Sequence, residues 1–119
     1  MTALIDTSVL VGAIAPRLGE PWMVSVVSVG ELQAGVLLAA DPAVCAQRLR
    51  RLTAVIAEAP IVPIEYPVAA RYGELRAATG RRPANDLWIA ATALAHDLIL
   101  VTADERQASL PLIRATLVA

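Results

Sequence analysis

Lysine and phenylalanine are absent from this chain, and cysteine and histidine occur once each, as Cys45 and His96. A lone cysteine excludes an internal disulfide, and one cysteine with one histidine cannot build a zinc centre. Aromatic residues make up 3% of the sequence, too few for a platform on which RNA bases stack. The net charge of -1 argues against a strongly basic nucleic-acid module. No apolar run is long enough to span a membrane. Asp6 interrupts the first apolar stretch, so no signal peptide is expected and the cytoplasm is the expected compartment. What is present is a chain of 119 residues, 57% hydrophobic, in which Ala, Val and Leu must do the packing. That length suits one domain over residues 1–119 with a substantial core. All ten basic residues are arginine, a side chain suited to phosphate.

The most apolar stretch runs from Ala84 to Ala95. Beyond Asp86 near its start it offers water almost nothing, and a helix apolar on all sides is a buried helix. Pro83 suits the beginning of such a helix, where a missing N–H has no partner to lose. Asp86 is therefore expected in the first turn, at the mouth of the interior. Three other acids end or interrupt apolar runs in the same way. Asp6 follows the strand-like Thr2–Ile5, and local reading leaves open whether it only caps the short helix expected after it, through Ile14. Glu31 lies near the start of a helix expected from Ser28, after Met23–Val27, which reads as a strand or as the entry to that helix. Ser28 and Glu31 have capping-box spacing, so a purely structural role for Glu31 also stands open. Asp104 follows the continuous apolar run Leu98–Val101, with Thr102 and Glu105 again at capping-box spacing, so the reading of Asp104 as merely a helix-start acid also stands open.

Between these motifs, Asp41-Pro42 opens a helix to about Ala57 that carries Arg48, Arg50 and Arg51. Ile61–Ile64 reads as a strand whose proline marks an edge or an end. Pro67 starts a helix that Gly80 stops, and Arg81 and Arg82 precede Asp86. His96 is expected to end the central helix rather than take part in chemistry. Residues 112–118 complete the pattern as a last edge strand. Strands alternating with helices predict an α/β fold. The expected form is a three-layer α/β/α sandwich with a central, mostly parallel sheet of four or five short strands.

In such a sheet the strand carboxyl ends and the following helix amino ends share one edge. Asp6, Glu31, Asp86 and Asp104 can therefore converge. Four close anions repel one another unless a cation neutralises them. Oxygen donors without His or Cys select a hard ion, Mg²⁺ or Mn²⁺. An ion of that kind activates water and stabilises charge on phosphate, so phosphodiester hydrolysis is the chemistry that suits the set.

Asp6-Thr7-Ser8-Val9-Leu10, Ser25 to Leu32, Asp86-Leu87-Trp88-Ile89-Ala90-Ala91 and Leu100-Val101-Thr102-Ala103-Asp104 resemble the four acidic motifs of PIN-domain ribonucleases. Their order and the chain's size are most similar to the VapC-type toxins of bacterial toxin–antitoxin pairs. The resemblance implies a metal-dependent endoribonuclease in which Asp6, Glu31, Asp86 and Asp104 hold one or two Mg²⁺ or Mn²⁺ ions. It implies that Ser8 and Thr102 orient those ligands or water from behind. It also implies an RNA substrate, a homodimer, and a cognate antitoxin that blocks the site. Arg81, Arg82 and Arg50 are the candidate phosphate contacts. Three departures from the pattern stand out: the segment over 16–21 is short, the aromatic common after the fourth acid is replaced by Gln107, Ala108 and Ser109, and basic residues beside the site are few. Other readings are a non-catalytic PIN-like RNA-binding or scaffold protein, and a small-phosphoester hydrolase. The aspartyl-nucleophile version of the latter expects Asp-x-Asp after the first strand, where Ser8 stands here.

Overall fold

The computed structural model describes residues 2–12 and 21–118. The shortened segment over 16–21 falls almost wholly outside them, as does the expected end of the first helix at Ala13 and Ile14. Five strands form one sheet: β1 (Ala3–Ile5), β2 (Trp22–Ser25), β3 (Ile61–Val62), β4 (Ile99–Thr102) and β5 (Arg114–Leu117). Their order is β3-β2-β1-β4-β5, and every neighbouring pair is parallel. The sheet is thus wholly parallel, beyond the mostly parallel arrangement expected. The helices are α1 (Thr7–Leu10), α2 (Val26–Leu38), α3 (Pro42–Glu58), α4 (Tyr66–Thr79), α5 (Ala84–Ala95) and α6 (Glu105–Ala108).

The period-two geometry of β1 divides the core between the two faces of the sheet. Ala3 and Ile5 pack with Leu32, Val36, Leu52 and Val55 from α2 and α3. Leu4, between them, faces the other way and packs with Leu100 and with Ile89 and Ala93 of α5. A further cluster joins Leu87, Ala90 and Ala91 of α5 to Val68 and Leu75 of α4. Tyr72 and Trp88 stack across the same α4–α5 seam, with ring centroids 4.0 Å apart. The run from Leu87 to Ala93 is buried except for a half-exposed Trp88, as an all-apolar helix requires. Its one buried hydroxyl, on Thr92, is satisfied by donating to the Trp88 carbonyl (2.8 Å).

Local signals hold at most helix ends. Asp41 caps α3, its Oδ1 accepting from the Ala43 N–H, with Pro42 directly behind it. Gly80 ends α4 at φ +69°, where a side chain would be strained. His96 is the C-terminal cap of α5. Leu112, at φ +72°, keeps the last strand from starting at 112.

The strand expected over Ile61–Ile64 ends at Val62, and the starts of the helices next to two of the acids are also corrected. Helix α2 begins at Val26 rather than Ser28, because Ser25 Oγ accepts the Val27 N–H (3.0 Å) and serves as its cap. The valines that read as strand are the first turn of this helix, so Glu31 lies in the second turn and no Ser28–Glu31 capping box exists. At the start of α6, Asp104 rather than Thr102 is the cap, with Oδ1 accepting from the Arg106 N–H (2.9 Å).

The chain begins in the middle of the sheet, moves outward through β2 and β3, and then crosses to β4 and β5. The strand order therefore reverses between β1 and β4. At such a switch point adjacent connections part to opposite faces and leave a crevice at the carboxyl ends of the strands.

Candidate active site

Asp6 and Asp104 follow the two strands that flank the switch point, and the other two acids approach it from helices on either face. Asp6 is 4% exposed and sits at the N-cap position of α1, but its side chain caps nothing. Instead Oδ2 accepts hydrogen bonds from Ser8 Oγ (2.6 Å) and from Thr102 Oγ1 (2.8 Å). Each hydroxyl has one proton to give, and both are directed to the carboxylate. The 3.2 Å separation of Ser8 Oγ from Thr102 Oγ1 then reflects their common target rather than a further bond. Ser8 Oγ accepts in turn from the Ala103 N–H (2.9 Å), and Thr102 Oγ1 from the Asp104 N–H (3.1 Å). The network ties the end of β1 to the end of β4 and fixes the Asp6 carboxylate across the crevice.

Glu31 is held from the opposite side of the same loop. Thr7 Oγ1 donates to Glu31 Oε1 (2.7 Å) and lies 2.9 Å from Ser28 Oγ, which is fully buried. Successive residues after β1 thus hold different acids, Thr7 serving Glu31 and Ser8 serving Asp6.

Asp86 stands in the first turn of α5, half-buried. Burial raises its carboxyl above the ordinary carboxylate range, and the charges of Asp6, Asp104 and Glu31 raise it further, against the opposing pull of Arg82. All three other acids thus lie within electrostatic reach of it. Among the described residues, however, no three His, Cys, Asp or Glu side chains are grouped as a finished ion cage. The two observations describe different ranges: the charges interact across the crevice, while the carboxylates do not close on one point.

The main chain at Asp86 is fixed by a residue that sequence reading missed. Gln107, 1% exposed, donates from Nε2 to the Asp86 carbonyl (2.7 Å), bracing α6 against the start of α5. Two arginine-lined clefts adjoin the acids. One is lined by Arg81, Arg82, Pro83, Asp86, Asp104 and Arg106, and Arg82 Nη2 donates to the Arg106 carbonyl across it (2.7 Å). The other lies between α2 and α3 and is lined by Val11, Glu31, Leu32, Gly35, Arg48 and Arg51. Arg50 is exposed and is not among its lining residues.

Residues 3–112 match the PIN domain. Ribonuclease VapC4 of Mycobacterium tuberculosis is 41% identical over 118 residues, spanning 92% of this chain and 91% of that protein. This chain belongs to the PIN domain family. Ribonuclease VapC5 of the same organism is 36% identical over 117 residues, covering 90% of this chain and 86% of that one. The crystal structure of VapBC-5 from M. tuberculosis, a member of the VapBC family of toxin–antitoxin systems, is similar at a TM-score of 0.85. It is 34% identical, with 98% of each chain covered. VapBC2 from Rickettsia felis, solved with a DNA fragment from its promoter, shares the fold at a TM-score of 0.86 and 23% identity, over the whole of both chains.

In this PIN domain the stretch Gln107-Ala108-Ser109 contains the buried Gln107, which braces the main chain of Asp86 by a hydrogen bond. Thr7 was within reach of sequence reading, as the polar residue between Asp6 and Ser8. Nothing local distinguished Arg48 and Arg51 from Arg50, because only the packing of α3 on α2 turns the first two toward Glu31.

Proposed function

We propose that this PIN protein is a divalent-metal-dependent endoribonuclease and the toxin of a toxin–antitoxin pair. The observation that carries this reading is that Asp6 and Asp104 follow β1 and β4 at the switch point while Asp86 feels the charges of Asp6, Asp104 and Glu31. The donor set fits Mg²⁺ or Mn²⁺: it is all oxygen, and the Asp86 carboxyl, raised first by burial, is raised further by three neighbouring acids whose charge a dication offsets. One or two ions would be held by these four acids. Bound there, a dication lowers the pKa of a coordinated water and offsets charge developing on a phosphate oxygen. The chain's own part is to hold the donors in place. Ser8 and Thr102 direct their protons to Asp6 and leave its other oxygen free of hydrogen bonds from the described residues. Thr7 orients Glu31, and Gln107 fixes the backbone that carries Asp86. Arg81 and Arg82 stand beside Asp86, where an RNA phosphate would need cationic partners amid four acids.

The ribonuclease names of VapC4 and VapC5 and the toxin–antitoxin complex of VapBC-5 support the same assignment, including a cognate antitoxin as partner. A homodimer is part of the proposal. Leu37 and Leu38 at the end of α2, 76% and 81% exposed, and Leu49 and Ile56 on α3 give apolar surface for a second chain to cover. The test is cleavage of structured RNA by purified, antitoxin-free protein with Mg²⁺, with Mn²⁺ and with EDTA. Discrete metal-dependent cuts that vanish in Asp86→Asn are expected. Absence of both cleavage and Mn²⁺ binding would turn the reading to a non-catalytic scaffold.

A further inference from the structure

Net charge is -1 and the reaction centre carries four acids, so a polyanionic substrate must be held by cations placed beside the centre rather than by the overall field. The cleft between α2 and α3 offers such cations on the Glu31 side. Arg51 is half-buried, and among the described residues its guanidinium makes no hydrogen bond or ion pair. Arg48 lines the same cleft, anchored by donation from Nη1 to the Gly35 carbonyl (2.8 Å). A guanidinium that is partly desolvated and unpaired is prepared for an oxyanion, whose planar pair of oxygens it can bind in bidentate fashion. Among the described residues the only carboxylate lining the cleft is Glu31, which is already held by Thr7. On the far side of the acids, Arg81, Arg82 and Arg106 line the second cleft.

We propose that the α2–α3 cleft is a phosphate subsite in which Arg51, with Arg48, binds an RNA backbone phosphate neighbouring the one that is cleaved. This rests on the nuclease reading. The strand would then cross the acids from one arginine cleft to the other. Its two flanking phosphates are neutralised, while the central one lies over Asp6, Asp86 and Asp104. Phosphate contacts of this kind position the strand without reading its sequence.

The test uses Arg51→Gln, with Arg71→Gln as a control of equal charge change on α4, where Arg71 pairs with Glu74. Binding of a short fluorescein-labelled single-stranded RNA of mixed sequence is followed by anisotropy over a salt series in the Asp86→Asn background. Cleavage kinetics and Mn²⁺ binding are followed with Asp86 intact. Arg51→Gln is expected to weaken RNA binding about five- to tenfold. It should lower the salt slope by about 0.7, the loss of one single-strand phosphate contact. KM should rise with kcat and Mn²⁺ affinity unchanged, and Arg71→Gln should behave as the parent. Equal RNA binding in Arg51→Gln and its parent, or an equal loss in Arg71→Gln, would overturn the subsite. So would a parallel loss of Mn²⁺ affinity, which would mean that Arg51 acts by placing Glu31. Retained RNA binding with lost binding of a poly-glutamate peptide would assign the cleft to an acidic protein segment instead. If the wild-type protein neither binds nor cleaves RNA, the nuclease reading itself fails.

Discussion

A single polar residue separates Asp6 from Ser8, and it serves a different acid. Thr7 lies at the start of α1, so its hydroxyl is carried away from the β1–β4 crevice toward α2, where it meets Glu31 at 2.7 Å. Removing that hydroxyl while keeping the side chain's shape isolates its effect. Thr7→Val is expected to lower Mn²⁺ affinity about tenfold, at the lower end of the effect of outer-shell partners. Titration calorimetry of the purified variant would measure it. Unchanged affinity would show that Glu31 needs no support. Asp86 is the complementary case, since no described side chain hydrogen-bonds its carboxylate and its surroundings, Arg82 apart, oppose its charge. A metal must compete with a proton there. Cleavage should therefore fall as pH drops through the raised Asp86 range, at a pH above that expected for an ordinary aspartate. A pH–rate profile at several Mn²⁺ concentrations should show this acidic limb moving to lower pH as the metal rises.

At the scale of elements, helix starts govern where the acids stand. Helix α2 is capped by Ser25, which is buried and is itself the last paired residue of β2. Ser25→Ala should cost about 1 kcal/mol in urea denaturation, the usual worth of a serine cap. A negligible loss would return the cap to Ser28. This boundary also marks the limit of what local sequence disclosed. Val26 and Val27 are β-branched and continue the strand's apolar run, so propensity extended β2 by two residues and placed Glu31 too early in its helix. Asp86 was legible, because a buried helix admits polar atoms only at its ends and Pro83 marked which end. Asp6 was legible as an acid closing a strand, although whether its side chain caps the following helix was not. Its orientation depends on Ser8 and Thr102, 94 residues apart in sequence. Arg51 and Gln107 were illegible for the same reason. Their roles come from the helix or loop packed opposite, not from their neighbours in the chain.

Over the whole molecule, placing four acids at one switch point sets function against stability. The folded state raises the Asp86 carboxyl above the value it has in the unfolded chain, so the native state binds that proton more tightly. The contribution from this group is therefore most favourable below the unfolded value. It is lost as pH rises between the two values, and it stays unfavourable at neutral pH. Metal-free protein should accordingly gain thermal stability as pH is lowered from neutral toward the raised Asp86 range. Asp86→Asn should be more stable than the parent at neutral pH and should lose that part of the pH dependence. Mn²⁺ reverses the comparison. At about 100 times its dissociation constant a ligand bound only by the native state adds roughly 2.7 kcal/mol, a rise in Tm on the order of 10 °C for a chain of this size. Thermal melts of both proteins, with EDTA and with Mn²⁺, would read all of this together. The expected pattern is Asp86→Asn above the parent in EDTA and below it in Mn²⁺. If Asp86→Asn melts below the parent under both conditions, Asp86 supports the fold. The convergence of acids would then not be the source of strain that a metal relieves.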